Sequence, residues 1–352
     1  MNIILLIVGF YMLIKCADIF VESSSNIAKA LKIPSIIIGL TIVGLGTSAP
    51  EAAVSVIAAI NGNYEVATGN VIGSNICNLL LVLGLSGIFG TLKVKRKIIF
   101  RDYIYLIFSY IILIIMLGES FIVGSNFAVI TRVNALILLC FLIIYLYFLM
   151  LDTRGSLIKE SSIKFKLSYI IDAIISLLGI VFGGKLVVNS SINIASILGV
   201  NDDIIALTIV AIGTSLPELI TSAIATKKGE NDIAIGNVLG SNIFNILFII
   251  GISSFINPMI IDSNTFIDII IMFITGLIVF ILLLKDKKIT LYKSIVMLII
   301  YFSIISPTAY FSRLFIASKR DFIIASKGFR FPIISIPKNN IAKIGPVKLP
   351  LT

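Results

Sequence analysis

The chain has 352 residues, of which 58% are hydrophobic and only 13% charged, with a mean hydropathy of +1.12. That charged fraction is about half the share usual in soluble domains, and apolar runs near 20 residues recur along the whole length, which argues against a soluble fold. The net charge of +10 sits in short segments between those runs, with no basic face interleaved with aromatics, so a nucleic-acid partner is not expected.

Ten apolar segments predict ten membrane-spanning helices: 2–22, 34–60, 64–89, 102–118, 131–150, 169–190, 203–226, 231–256, 263–284 and 289–310. The first begins MNIILLIVGFYMLIK. It has no basic residue ahead of its apolar run and has a counterpart in the second half, so it reads as a retained helix rather than a cleaved signal. The loops after helices 1, 3, 5, 7 and 9 hold 17 Lys and Arg residues, and the loops on the opposite side hold only Arg132. That bias predicts a multi-pass protein of the plasma membrane with odd-numbered loops in the cytoplasm and the N-terminus outside. Lys15, Asp18 and Glu22 in helix 1 and Lys185 in helix 6 read as side chains snorkelling from helix ends, with pairing or gating as the alternative. Residues 311–352 have neither a full span nor an amphipathic period. They read as a poorly ordered or non-native extension, with a surface anchor or regulatory tail as the alternative.

The sequence repeats itself. At a shift of 167, LTIVGLGTSAPEAAVSVIAAINGNYEVATGNVIGSNICNLLLVLG (40–84) matches LTIVAIGTSLPELITSAIATKKGENDIAIGNVLGSNIFNILFIIG (207–251) at 24 of 45 positions without a gap. Helices 1–5 therefore correspond to helices 6–10. Five is odd, so the second half enters the bilayer upside down relative to the first, the plan of many secondary transporters. The expected fold is all-α integral membrane: ten transmembrane helices in two inverted five-helix repeats. Residues 1–150 form the first repeat, 151–168 a cytoplasmic linker and 169–310 the second repeat.

The residues shared between the halves are the ones that lipid tolerates least. GTSAPE (46–51) and GTSLPE (213–218) each sit mid-span, and their Gly and Pro break the helical ladder. The break is expected to free backbone carbonyls near Gly44 and Thr47, and near Ala211 and Thr214. Ser48 and Glu51 share one helix face, as do Ser215 and Glu218. A carboxylate there costs several kcal/mol unless paired, and no Lys or Arg lies within either motif, so a bound cation is the natural partner. Each motif is followed 18 residues after its Glu by GNVxGSN, which places Ser74 with Asn78 and Ser241 with Asn245 on common faces. There is no His, and Cys16, Cys77 and Cys140 all lie inside apolar spans. A transition-metal site thus lacks ligands, whereas an all-oxygen set suits Ca²⁺ and Na⁺. Two carboxylates neutralise one Ca²⁺.

The paired GTSxPE and GNVxGSN regions resemble the two alpha repeats of the sodium/calcium exchanger (cation/Ca²⁺ antiporter) family, in its prokaryotic branch. The resemblance spans helices 1–10 and implies the ten-helix inverted-repeat fold and sodium-coupled Ca²⁺ antiport. By motif matching it implies Ca²⁺ ligation by Glu51 and Glu218 with the carbonyls of Thr47 and Thr214. It implies Na⁺ sites built from Ser48, Ser74, Ser215, Ser241 and the carbonyls of Gly44 and Ala211, with Asn78 and Asn245 in the central positions. It further implies that helices 1 and 6 slide across the remaining bundle to switch access. Some members carry Asp where this chain has Asn245, so the core here holds two carboxylates rather than three. The expected partners are the lipid bilayer and the transported ions Ca²⁺ and Na⁺, with no cofactor and no enzymatic activity. The competing readings are a proton-coupled Ca²⁺ antiporter, a cation channel and, more distantly, an intramembrane enzyme.

Overall fold

The computed structural model describes residues 2–122, 124–125, 127–155, 165–197 and 211–305. The expectations for 203–210 in the seventh segment, for most of the linker and for the tail at 311–352 lie outside these residues. In chain order the helices are α1 (Asn2–Ala30), α2 (Ser35–Thr47), α3 (Ala49–Ile60), α4 (Tyr64–Phe89), α5 (Ile98–Ile122), α6 (Arg132–Gly155), α7 (Leu167–Ile197), α8 (Ala211–Thr214), α9 (Leu216–Lys227), α10 (Asn231–Ile256), α11 (Ser263–Leu284) and α12 (Leu291–Ile305).

Seven of these helices are long and apolar enough to cross a bilayer, and the bent pair α2–α3 makes an eighth. The apolar helix α12 is shorter, and α8–α9 begin where the described residues resume. The molecule is therefore a helical membrane protein, and ten spans are not reached by counting the described residues alone. Helix α1 runs eight residues past the predicted end at 22. Apolarity stops there, but Ser23, Ser24, Ser25, Ile27 and Ala28 are buried against neighbouring helices, and that packing carries the helix onward. Four short strands were not anticipated: β1 (Leu92–Lys93), β2 (Phe127–Ile130), β3 (Met259–Asp262) and β4 (Lys288–Ile289).

Two helices form the centre. The apolar windows of α4 and α10, the helices carrying GNVxGSN, are 83% and 94% buried, whereas the same measure is 22% for α1, 28% for α6 and 33% for α7. The outer helices turn residues such as Ile3, Ile7 and Tyr11 outward, as a lipid-facing ring requires. Helix α2 crosses α10 at backbone distance: a Cβ on Gly240 would lie 2.5 Å from the Leu40 carbonyl oxygen, and only glycine permits that approach. Outer helices α1 and α7 also run in close contact, and a Cβ on Gly183 would lie 3.1 Å from the Gly9 carbonyl.

The junctions between spans sort into two sets. Strand β1 pairs with β4, joining the junction after the third predicted segment to the one after the ninth. Lys29 pairs with Glu230 at 3.2 Å, Lys95 with Asp232, and Lys97 and Arg101 with Asp152, all linking odd-numbered junctions to one another. The even-numbered junctions meet separately, through β2 with β3 and through Asn257 Nδ2, which donates to the Ala59 carbonyl at 2.8 Å. The basic residues thus gather at one end of the molecule. Asp18 and Glu22 are paired rather than merely snorkelling: Lys228 Nζ lies 2.8 Å from Asp18 and 3.4 Å from Glu22. Lys15 and Lys185 are exposed.

Candidate functional site

Both GTSxPE motifs fold the same way. Helix α2 stops at Thr47, Ser48 takes φ −81° and ψ 6°, and α3 starts with Pro50 as its second residue, its axis turned by 48°. In the second half α8 stops at Thr214, Ser215 takes φ −88° and ψ 6°, and Pro217 is the second residue of α9. Proline has no N–H, so the carbonyls of Gly46 and Gly213, four residues earlier, lose that helical donor, and the Gly46 carbonyl accepts instead from a backbone N–H at the end of α2. The Gly44 carbonyl, expected to be freed by the break, instead accepts from the Ser48 N–H at 3.2 Å and from the Ser241 hydroxyl at 3.1 Å. Ala211 opens α8. Glu51 and Glu218 fall in the first turn of α3 and α9, where the positive end of the helix dipole faces a carboxylate favourably. Both are fully buried.

The two halves are interlocked at this level. Ser48 Oγ donates to Glu218 Oε1 at 3.0 Å, across the repeat boundary. Within its own half Ser241 Oγ reaches the same oxygen at 3.4 Å, and Ser74 Oγ reaches Glu51 Oε1 at 3.5 Å. Ser215 is buried, and its hydroxyl makes no hydrogen bond to another described residue. Thr47 Oγ1 donates to Asn237 Oδ1 at 2.9 Å, and Thr214 Oγ1 to Asn70 Oδ1 at 3.5 Å. The hydrogen bonds form two sets, Glu51 with Ser74, Asn70 and Thr214, and Glu218 with Ser48, Ser241, Thr47 and Asn237; Ser215 joins neither set, and Thr214 is half-buried.

Asn78 and Asn245 begin π-helical turns in α4 (Asn78–Val82) and α10 (Asn245–Ile250). Glu51 Oε2, Glu218 Oε2, Asn78 Oδ1 and Asn245 Oδ1 are buried oxygens with no hydrogen-bond donor among the described residues. An unsatisfied buried acceptor costs about 1–3 kcal/mol, and more when charged, so this set calls for a cationic partner. Among the described residues no three His, Cys, Asp or Glu side chains converge. The donors are two carboxylates, amides and hydroxyls, which fit a hard cation.

Two asparagines escaped the sequence reading. Asn70 Nδ2 donates to the Glu51 carbonyl at 3.2 Å and to Ser55 Oγ at 2.9 Å. Asn237 Nδ2 donates to the Glu218 carbonyl at 3.3 Å and to Ser222 Oγ at 2.9 Å. Each amide thus clasps the carboxylate helix of its own half by its nitrogen and the threonine of the other half by its oxygen. The signal was present, since Asn follows Glu by 19 and Ser by 15 in both copies.

The profile of the sodium/calcium exchanger protein family matches residues 1–151 and 168–306. The chain is similar to the sodium/calcium exchanger MaX1 of Methanosarcina acetivorans, with 30% identity over 336 residues, covering 85% of this chain and 96% of that one. It is also similar to the inner membrane protein YrbG of Escherichia coli, with 34% identity over 272 residues, covering 73% and 81% respectively. Its fold is similar to the solved structure of the sodium-calcium exchanger NCX_Mj soaked with zero Na⁺ and Ca²⁺. That match has a TM-score of 0.74 and 30% identity, covering 86% of this chain and 97% of that one.

Proposed function

The chain belongs to the sodium/calcium exchanger family, and from that premise we propose that it exchanges Na⁺ for Ca²⁺ across the cell membrane by alternating access. The observation that carries this reading is the pair Glu51 and Glu218: one from each repeat, each just after a helix break, both fully buried, each with one oxygen that has no partner among the described residues. Ca²⁺ is held by these two carboxylates and the carbonyls of Thr47 and Thr214. Na⁺ is held by Ser48, Ser74, Ser215, Ser241 and the carbonyls of Gly44 and Ala211, with Asn78 and Asn245 between the two sets.

The architecture behind it is ten helices in two oppositely inserted halves. The 167-residue repeat, the two-part match to the family profile and the separation of odd from even junctions all support that arrangement. The basic end faces the cytoplasm, which puts the N-terminus outside.

Electrostatics then supply the coupling. An empty site carries two negative charges in a low-dielectric interior, where each costs several kcal/mol. One Ca²⁺ or two Na⁺ cancels that charge, so loaded forms can switch access and the empty form cannot. Helices α1 and α7, packed at the Gly9–Gly183 contact, are the sliding pair.

The test is ⁴⁵Ca²⁺ uptake into proteoliposomes under an outward Na⁺ gradient and, separately, under a pH gradient. Uptake driven by Na⁺ is expected. Uptake driven by the pH gradient alone would replace Na⁺ with H⁺ as the coupling ion, and Ca²⁺ flux needing no counter-ion would make the protein a channel.

A further inference from the structure

The central helices carry a second pair of asparagines, Asn75 and Asn242, which lie one helical turn before the central Asn78 and Asn245 and are fully buried. Their hydrogen bonds fix an orientation that the sequence leaves open. Asn75 Nδ2 lies 3.4 Å from the Asn242 carbonyl oxygen and 3.5 Å from Met272 Sδ. A carbonyl oxygen and a thioether sulfur can only accept, so the side of Asn75 that faces them is its NH₂. Its Oδ1 then faces the other way, toward Asn245. An amide oxygen needs a donor, and Asn245 supplies Nδ2 at 3.0 Å. With its nitrogen committed to Asn75, Asn245 turns Oδ1 away, and that oxygen has no donor among the described residues. Ser241, four residues earlier on the same face of α10, reaches Glu218, so this face is the one turned to the carboxylates.

We propose that Asn75 is a positioning residue that sets the amide of Asn245 so that its oxygen, and not its NH₂, is presented to the transported cation. The inference rests on the ion-site reading above. It addresses a problem peculiar to an amide at this position. A carboxylate offers oxygen in either orientation, whereas an amide turned by 180° would aim two N–H donors at a cation and repel it. The device is one-sided. Among the described residues the corresponding asparagine, Asn242, has no hydrogen-bond partner for either side-chain atom, and neither does Asn78.

The test is equilibrium ⁴⁵Ca²⁺ binding to the purified full-length protein, with thermal unfolding as the folding control. Asn75→Leu removes the acceptor and is expected to raise the half-saturating Ca²⁺ concentration about tenfold, the equivalent of about 1.4 kcal/mol. Asn75→Asp, fully buried and therefore held neutral, keeps an acceptor toward Asn245 and an O–H donor toward the Asn242 carbonyl, and should stay within threefold of the parent. In an Asn245→Asp background the orientation no longer matters, so adding Asn75→Leu should change binding less than twofold. Three outcomes overturn the proposal: Asn75→Asp losing as much as Asn75→Leu, Asn75→Leu costing the same in both backgrounds, or Asn245→Asp alone losing Ca²⁺ binding. If parent protein that binds Ca²⁺ fails to exchange it in proteoliposomes, the exchanger reading fails instead, and the two failures are distinguishable.

Discussion

Ser48, in the helix break of the first half, donates a 3.0 Å hydrogen bond to Glu218 of the second half, so the Glu218 site is not complete without the first repeat. A motif that looks self-contained in sequence is shared in space. Ser48→Ala should therefore impair the ion site through Glu218 rather than through its neighbour Glu51. The expected result is weaker cation binding that is not additive with Glu218→Gln, measured as a double-mutant cycle on Ca²⁺ affinity. Full additivity would mean that the contact carries no coupling.

Glu51→Gln or Glu218→Gln removes one of the two charges that balance Ca²⁺ while leaving the side-chain volume nearly unchanged. Either change should abolish Na⁺-driven Ca²⁺ uptake, and the purified protein should still elute as a folded monodisperse species. Retained uptake at the parent rate would sink the assignment of these glutamates.

The glutamates, the break and the repeat were legible from the sequence because each is a local violation of what lipid tolerates, and each occurs twice at one spacing. What was not legible depends on contacts between halves. The clasp by Asn70 and Asn237 joins residues 144 and 190 positions apart, which no periodicity reports. The polar run from Ser23 to Ala30 reads as loop by hydropathy yet stays helical because Ser25 donates to Glu230 at 2.6 Å. Likewise Asp18 and Glu22 found their partner, Lys228, on a distant junction.

The clasp makes an unequal pair. Asn237 is fully buried and accepts from Thr47 at 2.9 Å, whereas Asn70 is half-buried and lies 3.5 Å from Thr214. Asn237→Leu removes the donor to Ser222 and the Glu218 carbonyl and the acceptor of Thr47 in the interior, and should cost about 1–3 kcal/mol. Asn70→Leu should cost less. Thermal unfolding in detergent orders the two, and a larger loss for Asn70→Leu would contradict the geometry.

Backbone contact between α2 and α10 sets a sharp steric test. In Gly240→Ala the new methyl would meet the Leu40 carbonyl at 2.5 Å, and neither helix can retreat without disturbing the motif beside it. Overpacking of this kind costs about 1–3 kcal/mol, and the Tm should fall accordingly. Gly118, in α5, has no neighbour within 4 Å of a built Cβ. Gly118→Ala should leave Tm unchanged or raise it, since glycine in a helix interior is worse than alanine by roughly 0.5–1 kcal/mol.

The last prediction concerns motion. At the basic end α1 is tied to the α9–α10 junction by Lys29 with Glu230 and by Lys228 with Asp18 and Glu22. The corresponding positions in the other half, Lys185, Asn189 and Ser196 against Asn61 and Asn63, carry no opposite charges, so no matching latch is built there. Pairs this exposed contribute only about 0–1 kcal/mol each, enough to bias a switch without locking it. If α1 slides during exchange, Lys29 and Glu230 must separate. Lys29→Cys with Glu230→Cys, in a background with Cys16, Cys77 and Cys140 replaced by Ala, places two thiols where the ion pair stood. A short bifunctional thiol cross-linker should then arrest Na⁺-driven Ca²⁺ uptake, and cleavage of the link should restore it. Uptake that continues at full rate with the link intact would show that α1 and the α9–α10 junction stay together through the cycle, and sliding of α1 would have to be abandoned.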